Sequence, residues 1–147
     1  MNRRLKKSCI LVAVALLSMC LISCKQEKTF TSAKKECESF LSEHRVEMEA
    51  IAVAALMSGG EESGEHQGHD YYSDLQNRTV TFDIDAQGML GGQYWSLIYV
   101  ESGVLHGETD TYLYEEDGGN NVVRAERLDD HWWYCWEDYD GRDLSYQ

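Results

Sequence analysis

Seven carboxylate and imidazole side chains crowd the stretch from Glu61 to Asp74: Glu61, Glu62, Glu65, His66, His69, Asp70 and Asp74. His66 and His69 stand three apart, a spacing that can chelate a borderline metal such as zinc, with carboxylates to complete the set. A metal centre, however, needs supporting groups that hold its ligands still. Residues 59–74, GGEESGEHQGHDYYSD, are rich in glycine and serine. The composition therefore predicts a solvated acidic loop, with metal-dependent chemistry at His66 and His69 as the alternative. A second acidic run, Asp83-Ile84-Asp85-Ala86-Gln87-Gly88, departs from a calcium-binding loop at Gln87 and at Tyr94, where a ligand carboxylate is required; a strand end and turn is expected there. The chain has no nucleophile elbow, phosphate-cradling glycine loop or two-cysteine metal knuckle. No catalytic residue and no cofactor is assigned. His44 falls on an apolar stripe, the place of a core histidine, and His106 and His131 fall at loop or strand edges.

The aromatic residues carry the other chemistry. Tyr94, Trp95, Tyr99, Tyr112, Tyr114, Trp132, Trp133, Tyr134 and Trp136 all lie in segments of strand character. In HWWYCWE, residues 131–137, the two-residue period puts Trp132, Tyr134 and Trp136 on one face and Trp133 and Cys135 on the other. One helix cannot cover both faces. Either one row meets solvent and binds a glycan or protein by stacking, or the sheet curves enough to wrap both rows into a core. Trp132, Tyr134 and Trp136 are the candidate ligand-binding row.

These residues need elements to hold them. Ala33, Cys37, Phe40, Leu41, His44, Met48, Ile51, Ala52 and Ala55 recur at spacings of three and four, the stripe of an amphipathic helix. Thr31 and Ser32 are suited to capping its start, and Gly59-Gly60 to ending it, so the helix is expected from about Ser32 to Ser58. The period then falls to two. Strands are expected over 79–85, 94–101, 111–115, 122–128 and 131–137, with turns at 87–92 and a hairpin at Asp117-Gly118-Gly119-Asn120. The fold class is α+β: one long N-terminal helix packed on a curved antiparallel meander of about five strands. Cystatin-like and NTF2-like domains share that general architecture, which by itself assigns no function.

The first residues bear on location. Arg3, Arg4, Lys6 and Lys7 precede an apolar run from Cys9 to Ile22, the layout of an export signal. The run is shorter than the ~20 apolar residues that span a bilayer. It ends in Leu21-Ile22-Ser23-Cys24, followed by Lys25, Gln26, Glu27 and Lys28. This ending resembles the lipobox of bacterial lipoproteins, with Ile22 where a smaller residue is more usual. The resemblance implies cleavage before Cys24, acylation of the Cys24 thiol, and a lipid-anchored protein on the extracytoplasmic face of the cell membrane. The organisation expected is a signal peptide over 1–23, the lipidated cysteine and a tether over 24–30, and a single domain over 31–147.

Loss of residues 1–23 removes four basic and no acidic residues, leaving nine Lys and Arg against 26 Asp and Glu, a formal charge of −17. Such a surface repels nucleic acid and anionic polymers, suits solubility, and favours cationic partners or divalent metal. In an exported domain Cys37 and Cys135 either form a disulfide, which would turn Trp132, Tyr134 and Trp136 away from the helix, or remain two buried thiols. The function expected is a small membrane-anchored binding module for a protein or glycan. An enzyme or metal-dependent factor using His66 and His69, and a structural subunit of a membrane complex, are the alternatives.

Overall fold

A computed structural model describes residues 28–87, 92–115 and 121–139. Cys24, the segment 1–23 and most of the tether lie outside the described residues, as do the hairpin expected at 117–120 and the turn at 88–91.

The helix α1 spans Phe30–Met57, starting two residues before the expected cap. Thr29 is the N-cap, not Thr31 or Ser32: its hydroxyl accepts from the Ser32 N–H at 3.2 Å, and the Ser32 hydroxyl accepts from the Thr29 N–H at 2.9 Å. Two amide groups that the first helical turn leaves without partners are thereby satisfied together. The chain leaves α1 through Gly59, whose φ of +78° is open to glycine at no steric cost.

Seven strands follow: β1 (Ser63–His66), β2 (His69–Asp74), β3 (Thr79–Gln87), β4 (Gln93–Val100), β5 (Thr111–Glu115), β6 (Val122–Arg127) and β7 (Trp132–Asp138). They form one antiparallel sheet in the order β1-β2-β3-β4-β7-β6-β5. The α+β class and the helix-on-sheet layering agree with the sequence. The strand count of about five and the simple meander do not. Residues expected to be a loop form the β1–β2 hairpin, in which His66 faces His69 across a turn at Gln67-Gly68. β7 lies beside β4 in the middle of the sheet rather than at its edge. A strand with two apolar faces loses less by lying where both are covered and both edges are paired.

The sheet has a core on each face. Ala33, Cys37, Leu41, Met48, Ala52, Ala55 and Leu56 of α1 pack on Val80, Phe82, Ile84, Trp95, Leu97, Tyr99, Trp132, Tyr134 and Trp136. On the opposite face Val100, Leu105, Ala125, Trp133 and Cys135 form a smaller cluster, with Ile98, Tyr112 and Val123 against it. Leu105 comes from the connection between β4 and β5, so that connection covers the part of the sheet that α1 cannot reach.

The buried rings place their polar atoms at the margins of these cores, as burial demands. Trp95 Nε1 donates to Glu36 Oε2 at 3.1 Å and Trp132 Nε1 to Glu49 Oε1 at 3.3 Å. Tyr134 Oη donates to the Phe30 carbonyl at 3.1 Å, and Trp133 Nε1 to the Gly103 carbonyl at 3.3 Å.

A candidate binding face on the sheet

The aromatic row singled out from the sequence is not a surface. Trp132 and Tyr134 are wholly buried under α1 and Trp136 is 3 % exposed. Trp136 stacks on Trp95 with centroids 5.5 Å apart, and Tyr134 meets the edge of Phe30 at 5.0 Å. The row is apolar because it carries the main core.

Cys37 and Cys135 are both buried free thiols. Cys37 belongs to the helix-side cluster and Cys135 to the opposite one. The sheet separates them, and of the two alternatives the structure has the pair of buried thiols rather than the bond. Burial pushes both thiols well above their ordinary range, with Glu36 adding to the effect at Cys37 and Glu137 at Cys135.

The two histidines of the acidic stretch join a ring cluster at the junction of α1 and the β1–β2 hairpin. Phe40 contacts His44 and His69, each with centroids 4.6 Å apart, and His44 meets His66 edge-on at 5.7 Å. His69 Nδ1 lies 3.1 Å from the Asp83 carbonyl oxygen. His66 and His69 thus pack against the helix rather than pointing into water. Among the described residues no group of three or more His, Cys, Asp or Glu side chains is placed to hold a metal ion. None of the helices of the described residues is long and apolar enough to cross a membrane.

The sheet face away from α1 presents a different constellation. Register sets Tyr94 of β4 directly opposite Glu137 of β7, and Asp83 of β3 opposite Ser96, which in turn faces Cys135. Tyr72 of β2 pairs with Thr81, two residues before Asp83 on the same face. Tyr139, just after β7, folds back so that its hydroxyl donates to Glu137 Oε2 at 2.6 Å. Its ring meets Tyr94 nearly perpendicularly, at 86° and 5.5 Å. Tyr72, Tyr94, Tyr139, Asp83 and Glu137 together line a cavity of about 390 Å³, open to solvent. Small Ser96 and Cys135 occupy the sheet positions between these larger side chains, which is why the register leaves a hollow there.

The three tyrosines are 42–46 % exposed. They present ring surface to the cavity while the strands hold their backbones. Tyr114 of β5, 49 % exposed, extends the same face beyond Val123. The carboxylates set the electrostatics. Partial burial, then the charges of Glu137 and Asp70, push the Asp83 carboxyl above its ordinary range. The hydrogen bond to Glu137, followed by burial, pushes Tyr139 up to about 12. Burial and the Asp83 charge raise Tyr72, against the opposing effect of its bond with Thr81. Among the described residues neither Asp83 nor Glu137 is ion-paired. Such a site has ring faces and negative charge set around a hollow, and it can hold a ligand.

In comparison with known proteins, no family model, curated protein or solved structure matches the chain.

Proposed function

We propose that the chain is a membrane-anchored extracytoplasmic lipoprotein whose domain is a binding module, with the sheet face opposite α1 as its binding surface. The observation that carries the binding role is the open cavity among Tyr72, Asp83, Tyr94, Glu137 and Tyr139. A fold that buries its tryptophans while leaving three tyrosines half exposed around a hollow keeps amphipathic ring surface available for a partner. The anchor rests on the lipobox-like ending at Cys24. A tether there would leave α1 and the sheet free of the bilayer while holding them beside it.

Site-specific photo-crosslinking in cells of the source organism tests the binding role. A crosslinking amino acid placed at Tyr94 or Tyr114 should capture an envelope component. The same residue at Val46, 78 % exposed on the solvent side of α1, should not. Capture from Val46 alone, equal capture from both faces, or none from either would refute the assignment. For the anchor, Cys24→Ala should leave unprocessed precursor without acyl label; normal acylation of that variant would refute it.

A further inference from the structure

We infer that the cavity among Tyr72, Tyr94, Tyr139, Asp83 and Glu137 binds an organic ammonium group. This rests on the binding role proposed above and specifies its ligand chemistry. Ring faces attract a cation through their quadrupole, and Tyr94 and Tyr139, set at 86° to each other, form two walls of a corner into which a rounded cation fits. Tyr72 stands on a separate strand and lines the same hollow. Asp83 and Glu137 add two carboxylates within it, and among the described residues neither has an ion-pair partner.

The carboxylates decide between an ammonium ion and a neutral ligand. A sugar could stack on the same rings and accept or donate hydrogen bonds, yet it would leave two like charges facing each other in a partly desolvated space. A cation removes that repulsion and gains the ring faces as well. An inorganic divalent ion fits less well. Such an ion takes six to eight oxygen ligands in the case of calcium, whereas the cavity supplies two carboxylates and tyrosine hydroxyls, of which that of Tyr139 is already committed as a donor to Glu137. The volume of about 390 Å³ is at the small end of ligand sites, near a single head group rather than an extended chain. The groups facing the ligand are the three tyrosines and two carboxylates, with Asp70 on β2 acting on Asp83 from outside. Protonation of Asp83 competes with the ligand, so affinity falls on acidification.

The test uses the full chain purified in detergent and titrated calorimetrically with choline and with butylammonium. Controls are calcium and the uncharged analogue of choline in which carbon replaces the nitrogen. Both ammonium probes should bind and the uncharged analogue should not. Asp83→Asn should weaken binding about tenfold or more, the scale of a lost charged interaction. Tyr94→Phe should retain binding and Tyr94→Leu lose it, since both keep apolar bulk but only one keeps the ring face. Circular dichroism of each variant establishes that the fold is intact. Equal binding of the uncharged analogue, binding of calcium that Asp83→Asn abolishes and that displaces the probes, or no heat from either ammonium probe would each overturn the ammonium assignment. If crosslinking from Tyr94 or Tyr114 still captures a partner in that event, the face remains a binding surface and only its ligand chemistry is wrong.

Discussion

Gly103 offers a sharp check on how the second face of the sheet is closed. It sits in the connection from β4 to β5, with φ of +73° and its N–H bonded to the Val100 carbonyl at 2.9 Å. Its own carbonyl accepts from Trp133 Nε1. A methyl group on its α-carbon would lie 2.3 Å from the carbonyl oxygen of Asp130, a backbone atom in the turn between β6 and β7. Gly103→Ala therefore carries two separate costs. The left-handed backbone costs an alanine about 1–2 kcal/mol. Relieving the contact means moving one backbone segment by roughly an ångström, which strains or breaks the Trp133 bond, worth about 1 kcal/mol. The sum is about 2–3 kcal/mol, a large part of the 5–15 kcal/mol typical of a domain. Gly107→Ala is the matched control: φ is +90°, but nothing lies within 4 Å of the added carbon. Urea denaturation of both variants should show Gly107→Ala losing only the backbone share. Gly103→Ala should lose about 1 kcal/mol more, as a lower midpoint with unchanged slope. Equal losses would mean that the connection does not rest on the β6–β7 turn, and the account of the second core would fail with it.

Two further outcomes follow from groups already described. Asp83 is raised by folding, so its contribution to stability is present below the unfolded carboxylate range and is lost as pH rises through the folded value. Asp83→Asn should hence stabilise the domain at neutral pH, by less than about 1 kcal/mol because the group remains partly in water, and the gain should vanish near pH ~4; a loss of stability at neutral pH would contradict the unfavourable charge environment assigned to it. Cys37 and Cys135 should resist an aromatic disulfide reagent in the folded protein and both react once it is denatured without reductant; two unreactive cysteines after denaturation would restore the disulfide.

The helix was legible from its three-and-four apolar spacing, and five of the seven strands from alternation, as in 79–85, or from short runs rich in aromatic and branched residues, as in 94–101 and 131–137. The β1–β2 hairpin was not: SGEH and HDYYSD are short and polar, and their order comes from pairing with β3 and from Phe40 and His44 packing against their histidines. Position in the sheet was hidden for a different reason. HWWYCWE is apolar on both faces, which signals a central strand, but a chain read in sequence order sets its last strand at an edge. The candidate row of Trp132, Tyr134 and Trp136 had a different origin: α1 was counted as the only cover, whereas the β4–β5 connection, through Leu105, packs on the second face. The cavity residues were individually visible only in part. Tyr94 stood among the strand aromatics and Asp83 in the discounted calcium-like run, while Tyr72, Glu137 and Tyr139 gave no signal, since the site exists only once four strands are set side by side.

The place of β7 also determines when the molecule can exist. Its two neighbours, β4 and β6, each meet it along nearly its whole length and do not touch each other. Until residues 132–138 have joined, the chain is two unconnected hairpin arrays, one of them beside a helix with no tryptophan from β7 beneath it. A ribosome releasing the chain from its N-terminus delivers this strand after all the other described ones, so the sheet closes late. A product truncated before Trp132 cannot settle for a smaller version of the same fold. It would expose apolar strand surface to proteases, so that completeness of the polypeptide is read out directly as survival.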